Sequence, residues 1–236
     1  MCTVSFVRVN SKVIITSNRD ERRERQPLLT PQSAVINNKK IFFPKDPQSG
    51  GTWYAIDEFA NVVVLLNGAS GKHERKAQYR KSRGLIVLEI ISKPSPFAYW
   101  KILNLADIEP FTIVLYEKGD LFQLRWDGHI KEVHVLNADK SYIWSSATLY
   151  NDEVRQQRET WFQVFLSSVK DITPALVRDF HQFTNAEDKE NGLVINRVEG
   201  PVTLSITQTA IEANKVEFEY ADLIEDQSFS KTFISV

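Results

Sequence analysis

Cysteine occurs once in the 236 residues, at position 2, so the chain cannot close an intramolecular disulfide, and no CxxC pair or Cys/His cluster suggests a structural zinc. An excess of charge of one sign is also missing. The 29 basic and 30 acidic side chains leave a formal net charge of -1, which offers no attraction to nucleic acid or to an anionic membrane. Long apolar runs are absent: 61–66 and 85–91 fall far short of the ~20 residues that span a bilayer. The first residues lack the apolar core of roughly 7 to 15 residues that a secretory signal needs. The expectation is a cytoplasmic protein in a reducing compartment, with no transmembrane segment and no nucleic-acid partner; its oligomeric state stays open. Among the histidines, His73, His129, His134 and His181 form no HExxH, and His129 and His134 flank a strand rather than share a helical face. There is no GxSxG elbow, and Gly71-Lys72 lacks the rest of a phosphate loop. Neither a metal nor a cofactor is expected.

The remaining composition is ordinary for a globular chain, and its length buries about 70% of the unfolded surface, so one domain over 1–236 is expected. Residues 2–9 and 12–17, rich in Val and Ile around the polar turn Asn10-Ser11, predict an opening hairpin. The stretch 21–49 holds four prolines and little periodicity apart from a short strand at 41–43, and reads as a long connection that wraps the site. Gly50-Gly51 opens a second hairpin, 52–56 with 61–66, which ends at Asn67-Gly68. Helical spacing predicts a helix from about 76 to 91, stopped by Pro94 and Pro96, and a shorter one over 96–104. Strands at 111–116, 121–126 and 130–135, parted by turn residues, form a meander.

A short strand follows at 142–145. Asn151-Asp152 caps a helix running to about 169 with Val154, Trp161, Phe165 and Leu166 inward, and Thr173-Pro174 starts another. A polar loop over 185–192 leads to a last hairpin, 202–211 with 216–221. Hairpins throughout, with two separate helical blocks, favour an α+β fold over a doubly wound parallel one. The architecture expected is a four-layer α/β/β/α sandwich of two antiparallel sheets.

The lone cysteine is the candidate nucleophile. Removal of Met1 would give Cys2 a free α-amine beside its thiol, so that one residue supplies both nucleophile and base. A thiol near pKa 8.5 is only a few per cent thiolate at neutral pH, and an α-amine near about 7.7 can take its proton directly or through one water. An incidental buried thiol at a strand start is the competing account. Asn18-Arg19-Asp20-Glu21 stands at the end of the second strand, beside the start of the first. A carboxylate there can hold the ammonium, and an Arg can lower the thiol pKa or bind a substrate carboxylate.

Further motifs follow in order: Gly50-Gly51-Thr52-Trp53, Leu66-Asn67, Ser82-Arg83-Gly84 and Pro110-Phe111-Thr112. Together with Met1-Cys2 and Ser17-Asn18-Arg19-Asp20-Glu21, they resemble the NRDE family, also called the transport and Golgi organisation 2 (TANGO2-like) family, over nearly the whole chain. That family is in turn similar to the N-terminal nucleophile hydrolases of the choloylglycine and penicillin V amidase branch, whose fold is an α/β/β/α sandwich. The resemblance implies an amidohydrolase in which Cys2 attacks an acyl C–N bond, Asp20 steadies its amine and Asn67 donates to the oxyanion; Arg19 is expected to fix charge nearby. One such donor is worth about 3 kcal/mol.

Asn18, Glu21, Trp53 and Gly68 are the implied substrate-binding set, the ligand being a small molecule or acyl compound. Asn67-Gly68 is equally a plain turn on spacing alone. The chain departs from the pattern at Ser145-Ser146-Ala147, where many relatives show Ser-Asn-Ala, so Ser146 offers a hydroxyl in place of an amide. It departs again at Thr203-Leu204-Ser205, where relatives often carry an Arg. These departures keep an alternative in play: a non-catalytic binding or trafficking protein for haem, lipid or an acyl ligand that retains the hydrolase pocket.

Overall fold

A computed structural model of the chain describes residues 3–28 and 30–236. In chain order the elements are β1 (Thr3–Val9), β2 (Lys12–Glu21), β3 (Gln32–Ile36), β4 (Lys39–Phe43), β5 (Tyr54–Asp57) and β6 (Val62–Asn67). Two helices follow, α1 (Arg83–Ile91) and α2 (Pro96–Ile102), then β7 (Phe111–Glu117), β8 (Asp120–Trp126), β9 (Lys131–Leu136) and β10 (Tyr142–Ser145). The chain continues with α3 (Asp152–Ser168), α4 (Pro174–Phe183), β11 (Val202–Glu212), β12 (Lys215–Asp222) and β13 (Gln227–Ile234). They fall into two compact units, one of residues 1–26 and 139–233 and one of 27–138 and 234–236.

The first unit is an antiparallel sheet in the order β10-β1-β2-β11-β12-β13. Its two tight hairpins turn where expected, at Asn10 (φ 52°) and Ala213 (φ 53°). β2 lies between β1 and β11, so the β1/β2 hairpin joins the β11/β12 hairpin. Strand alternation sends Val7, Ile14 and Ala210 to one face, where they pack with Phe162, Val177, Phe180 and Leu193 from the helical segments. Both helices begin at a side-chain cap: Asn151 accepts from the Val154 N–H, and Thr173 accepts from the Leu176 N–H ahead of Pro174. β13 was not anticipated. Its residues alternate between exposed and half-buried, a pattern too polar to signal a strand beside charged turns.

The second unit is a seven-stranded meander, β3 to β9, in which spatial order equals chain order. α1 and α2 form the excursion between β6 and β7. Phe97 of α2 stacks on Phe122 of β8 with ring centres 4.0 Å apart. Buried Lys39 donates to Asp57 (2.8 Å) and to the carbonyls of Ile91 and Lys93, which seats the end of α1 on the sheet.

Two boundaries differ from expectation here. The helix predicted from about 76 starts at Arg83, because Ser82 caps it by accepting the Gly84 N–H, and only the residues from Leu85 onward carry apolar helical spacing. The predicted connection 21–49 contains the hairpin β3/β4, turning on Asn37 and Asn38, both with φ in the left-handed region (51° and 61°). Two consecutive residues there define the turn that matches strand twist.

Candidate functional site

The Asn-Arg-Asp-Glu run lies within β2, so its side chains alternate between the two faces of the first sheet. Asn18 and Asp20 point to the helix-bearing face, Arg19 and Glu21 to the other. Glu21 pairs with Arg25 at 2.9 Å and accepts from the Arg22 N–H, while Arg19 donates to the Arg25 carbonyl at 2.7 Å. Burial alone would raise the Glu21 carboxyl, but the group lies below its ordinary range, with the Arg25 charge, the Arg22 N–H and the Arg19 charge among the causes that lower it.

Asn18 is fully buried, and its amide is spent inside the unit. The nitrogen donates to the carbonyls of His181 (3.0 Å) and Leu193 (2.7 Å), which leaves Oδ1 facing His181 Nδ1 at 2.5 Å. That arrangement puts the imidazole proton on Nδ1, and Nε2 accepts from the Ser5 hydroxyl at 2.7 Å. The Ser5–His181–Asn18 chain has the connectivity of a nucleophile, base and orienter, but all three residues are sealed at 0% exposure. Burial, with Arg158 nearby, pushes His181 down to about 3, so the ring is neutral and structural. In this structure the Asn18 side chain pins α4 to β2.

Asp20 is also buried, at 1% exposure, and its carboxylate is oriented from two sides. Tyr150 donates to Oδ2 at 2.8 Å and Thr203 donates to Oδ1 at 2.6 Å. A β-bulge makes the second bond possible. Thr203 pairs with Asp20 and Ser205 with Arg19, leaving Leu204 as the extra residue, so Thr203 is turned to the Asp20 face while Ser205 stays on the Arg19 face. Leu204, the apolar departure from the family pattern, is therefore the bulged residue, wholly buried.

Tyr150 arrives through the Ser146 turn. The buried Ser146 carbonyl accepts from the N–H groups of Leu149 and Tyr150, and its hydroxyl bonds Thr148 at 3.0 Å. Arg158 lies with its guanidinium carbon 3.6 Å from the centre of the Tyr150 ring and donates to Thr3 Oγ1 at 2.6 Å, and it also binds the carbonyls of Asn191 and Gly192. Tyr150, Arg158 and Thr203 were not anticipated as site residues. Arg158 left a signal: it occupies the middle of the apolar stripe formed by Val154, Trp161, Phe162 and Phe165 on α3, where a surface Arg does not belong.

Cys2 lies outside the described residues. Its neighbour Thr3 pairs with Asn18 of β2 on one side and with Ser145 of β10 on the other.

In the second unit the remaining motifs meet. The backbone of Gly51 presses on that of Gly84: a Cβ on Gly51 would lie 2.4 Å from the Gly84 carbonyl carbon, and Thr52 N–H donates to Gly84 O at 3.1 Å. Thr52 Oγ1 bonds the Pro44 and Tyr54 carbonyls, and Trp53 is buried at 3% exposure, with its carbonyl accepting from Leu65 N–H. Asn67 ends β6 opposite Phe111 and is half-buried. Gly68 follows with φ 82°, a conformation that favours glycine. The Gly68 N–H donates to the Pro110 carbonyl at 3.1 Å, and the same oxygen accepts from Arg83 Nη1 at 3.0 Å. Arg83 is itself paired with Glu109, which His73 also contacts. Ser82-Arg83-Gly84 and Pro110-Phe111-Thr112 thus hold the Asn67-Gly68 turn in place.

Among the described residues no helix is long and apolar enough to cross a membrane, and no group of three or more His, Cys, Asp or Glu side chains is placed to hold a metal.

Solved structures share this fold. A variant of conjugated bile acid hydrolase from Clostridium perfringens matches with a TM-score of 0.55 and 11% identity, over 99% of this chain and 97% of that one. A second variant of the same hydrolase, with alanine in place of cysteine at its own position 2, matches at 0.52 and 10% identity, over 99% and 96%. A Caenorhabditis elegans ortholog of N-acylethanolamine-hydrolyzing acid amidase matches at 0.52 and 13% identity, over 88% and 92%. The chain therefore has an α+β fold of two antiparallel sheets with four helices, as its order of strands and helices predicts, and shares it with N-terminal nucleophile hydrolases, as the family resemblance implies. No curated protein matches it. The model of the Transport and Golgi organisation 2 (TANGO2) family matches residues 1–217, and the chain belongs to that family.

Proposed function

We propose that this chain is an N-terminal-cysteine amidohydrolase acting on an acyl C–N bond of a small molecule. The observation that carries the reading is the placement of Asp20. Its carboxylate is buried and oriented by two donors, two residues along β2 from the partner of Thr3, and Thr3 is joined by one peptide bond to Cys2. A carboxylate so prepared suits an ammonium partner.

With Met1 removed, the α-amine of Cys2 takes the thiol proton and the sulfur attacks the carbonyl carbon. The tetrahedral intermediate collapses as the C–N bond breaks, and the ammonium returns its proton to the leaving amine. Water then attacks the thioester, losing its proton to the amine, and releases the acid and the free thiol. Asn67 keeps the oxyanion-donor role that the family resemblance gives it. The hydrolase fold of the neighbours, one of them studied with its own cysteine replaced, supports the assignment.

The test is intact mass after incubating Met1-free protein with a p-nitrophenyl acyl ester. A single acyl adduct is expected, lost in Cys2→Ala; no adduct on the processed protein overturns the reading.

A second reading, a binding protein for an acyl, lipid or haem ligand, is favoured by one observation: the position where relatives often carry Arg is the buried bulge residue Leu204, which offers no charge to a transition state. Tight binding of a fatty-acyl ligand or haem that Cys2→Ala leaves unchanged, without any adduct, would select it.

A further inference from the structure

We infer that Tyr150 is a positioning residue for the reaction, acting through Asp20, and that the Thr203 hydroxyl is its counterpart on the other carboxylate oxygen; the inference rests on the hydrolase reading above. A carboxylate that must anchor an ammonium at one fixed point cannot be free to rotate about its last torsion, and a single donor would still leave it a rocking motion. Here each oxygen has its own donor, at 2.8 Å from Tyr150 and at 2.6 Å from Thr203. Both donors are themselves fixed. The Thr203 hydroxyl also accepts the Ile195 N–H at 2.9 Å, which commits its proton to Asp20. The Tyr150 ring is held flat under the Arg158 guanidinium, and its backbone N–H is tied to the Ser146 carbonyl.

Arg158 gives the arrangement its reach. The same guanidinium that covers Tyr150 donates to Thr3 Oγ1, so one fully buried cation fixes both the ring that orients Asp20 and the residue next to the nucleophile. In this account the hydroxyl in place of an amide at Ser146 is no loss, because the segment's contribution is the turn that delivers Tyr150. The phenol acts as a hydrogen-bond donor to Asp20 Oδ2.

The test uses Met1-free full-length protein and a p-nitrophenyl acyl ester, with acylation of the lone cysteine followed by intact mass and separated into a maximal rate and a half-saturation concentration. Y150F keeps the ring under Arg158 and removes only the donor. Its maximal rate is expected to fall about tenfold at unchanged half-saturation, and T203V is expected to do the same. In a D20N background Y150F is expected to change nothing further, a result that a merely structural tyrosine would not give. If wild-type protein is not acylated, the hydrolase reading itself falls. If wild type is acylated and Y150F matches it, or if Y150F lowers the rate equally in the D20N background, the positioning role is overturned. Should Y150F fail to fold, T203V alone and in D20N carries the same expectations.

Discussion

In the first unit the family motif works through side chains, and in the second the motifs work through backbone. Asn18, Arg19, Asp20 and Glu21 each end in a defined set of hydrogen bonds or ion pairs, two residues on each face of one strand. Gly51, Gly84, Gly68 and Pro110 do their work by close approach, a positive φ and a shared carbonyl. The lesson is that contiguity in sequence misleads about the four-residue motif: Asn18 is core architecture under α4, Arg19 and Glu21 bond Arg25 on the other face, and Asp20 is oriented by two donors from distant segments. Motifs scattered over sixty residues of the second unit, by contrast, form one contiguous brace.

The contrast can be broken experimentally. The largest effect is expected from Gly51→Ala, whose new Cβ would meet Gly84 backbone at 2.4 Å and force the start of α1 off the sheet. Denaturant unfolding should show a loss of about 3 kcal/mol or more; a tolerated alanine would mean that the second unit does not depend on backbone approach.

His181→Ala should cost about 3 kcal/mol, since it opens a cavity and strands the Ser5 and Asn18 side chains. It also tests the neutral ring by pH. The folded-state value of about 3 lies below the ordinary 6.5, so the neutral imidazole contributes in full above about pH 6.5. Between 6.5 and about 3 the unfolded chain takes up a proton that the folded chain refuses. Stability there falls with falling pH by up to ~1.4 kcal/mol per unit. The alanine variant should show a shallower fall over that window, and identical slopes would remove the neutral-histidine account.

Arg83→Met leaves the Pro110 carbonyl to Gly68 alone, and a loss of about 1 to 2 kcal/mol in thermal or denaturant unfolding is expected. At the small end, Arg178→Ala breaks the half-exposed pair between α4 and Glu219 of β12. A shift within about 0.5 kcal/mol would show that the first unit does not rely on this surface ion pair.

Much of this was legible in the sequence, for physical reasons that can be named. Asn10 and Ala213-Asn214 mark their hairpins because a two-residue turn demands positive φ, and the helices at Asn151 and Thr173 announce themselves by their caps. The β3/β4 hairpin was missed because four prolines in the surrounding stretch masked the turn at Asn37-Asn38. The start of α1 was misplaced because charged residues ahead of Ser82 carry no period that sets a boundary. At the candidate site, Asp20 is singled out by its motif, but its donors are not. Tyr150 is 130 residues away, and Thr203 faces Asp20 only by virtue of a bulge, which no alternation rule anticipates.

The place of β2 in its sheet has a consequence for how the protein is made. Its partner β11 begins at Val202, far along the chain from the end of β2 at Glu21, and at roughly 5 to 20 residues per second the ribosome needs on the order of ten to forty seconds to travel from one to the other. Through that interval the β1/β2 hairpin carries a bare edge of backbone donors and acceptors along β2. A nascent chain arrested before Val202 is expected to be cut by protease within 3–21, and full-length protein to resist there.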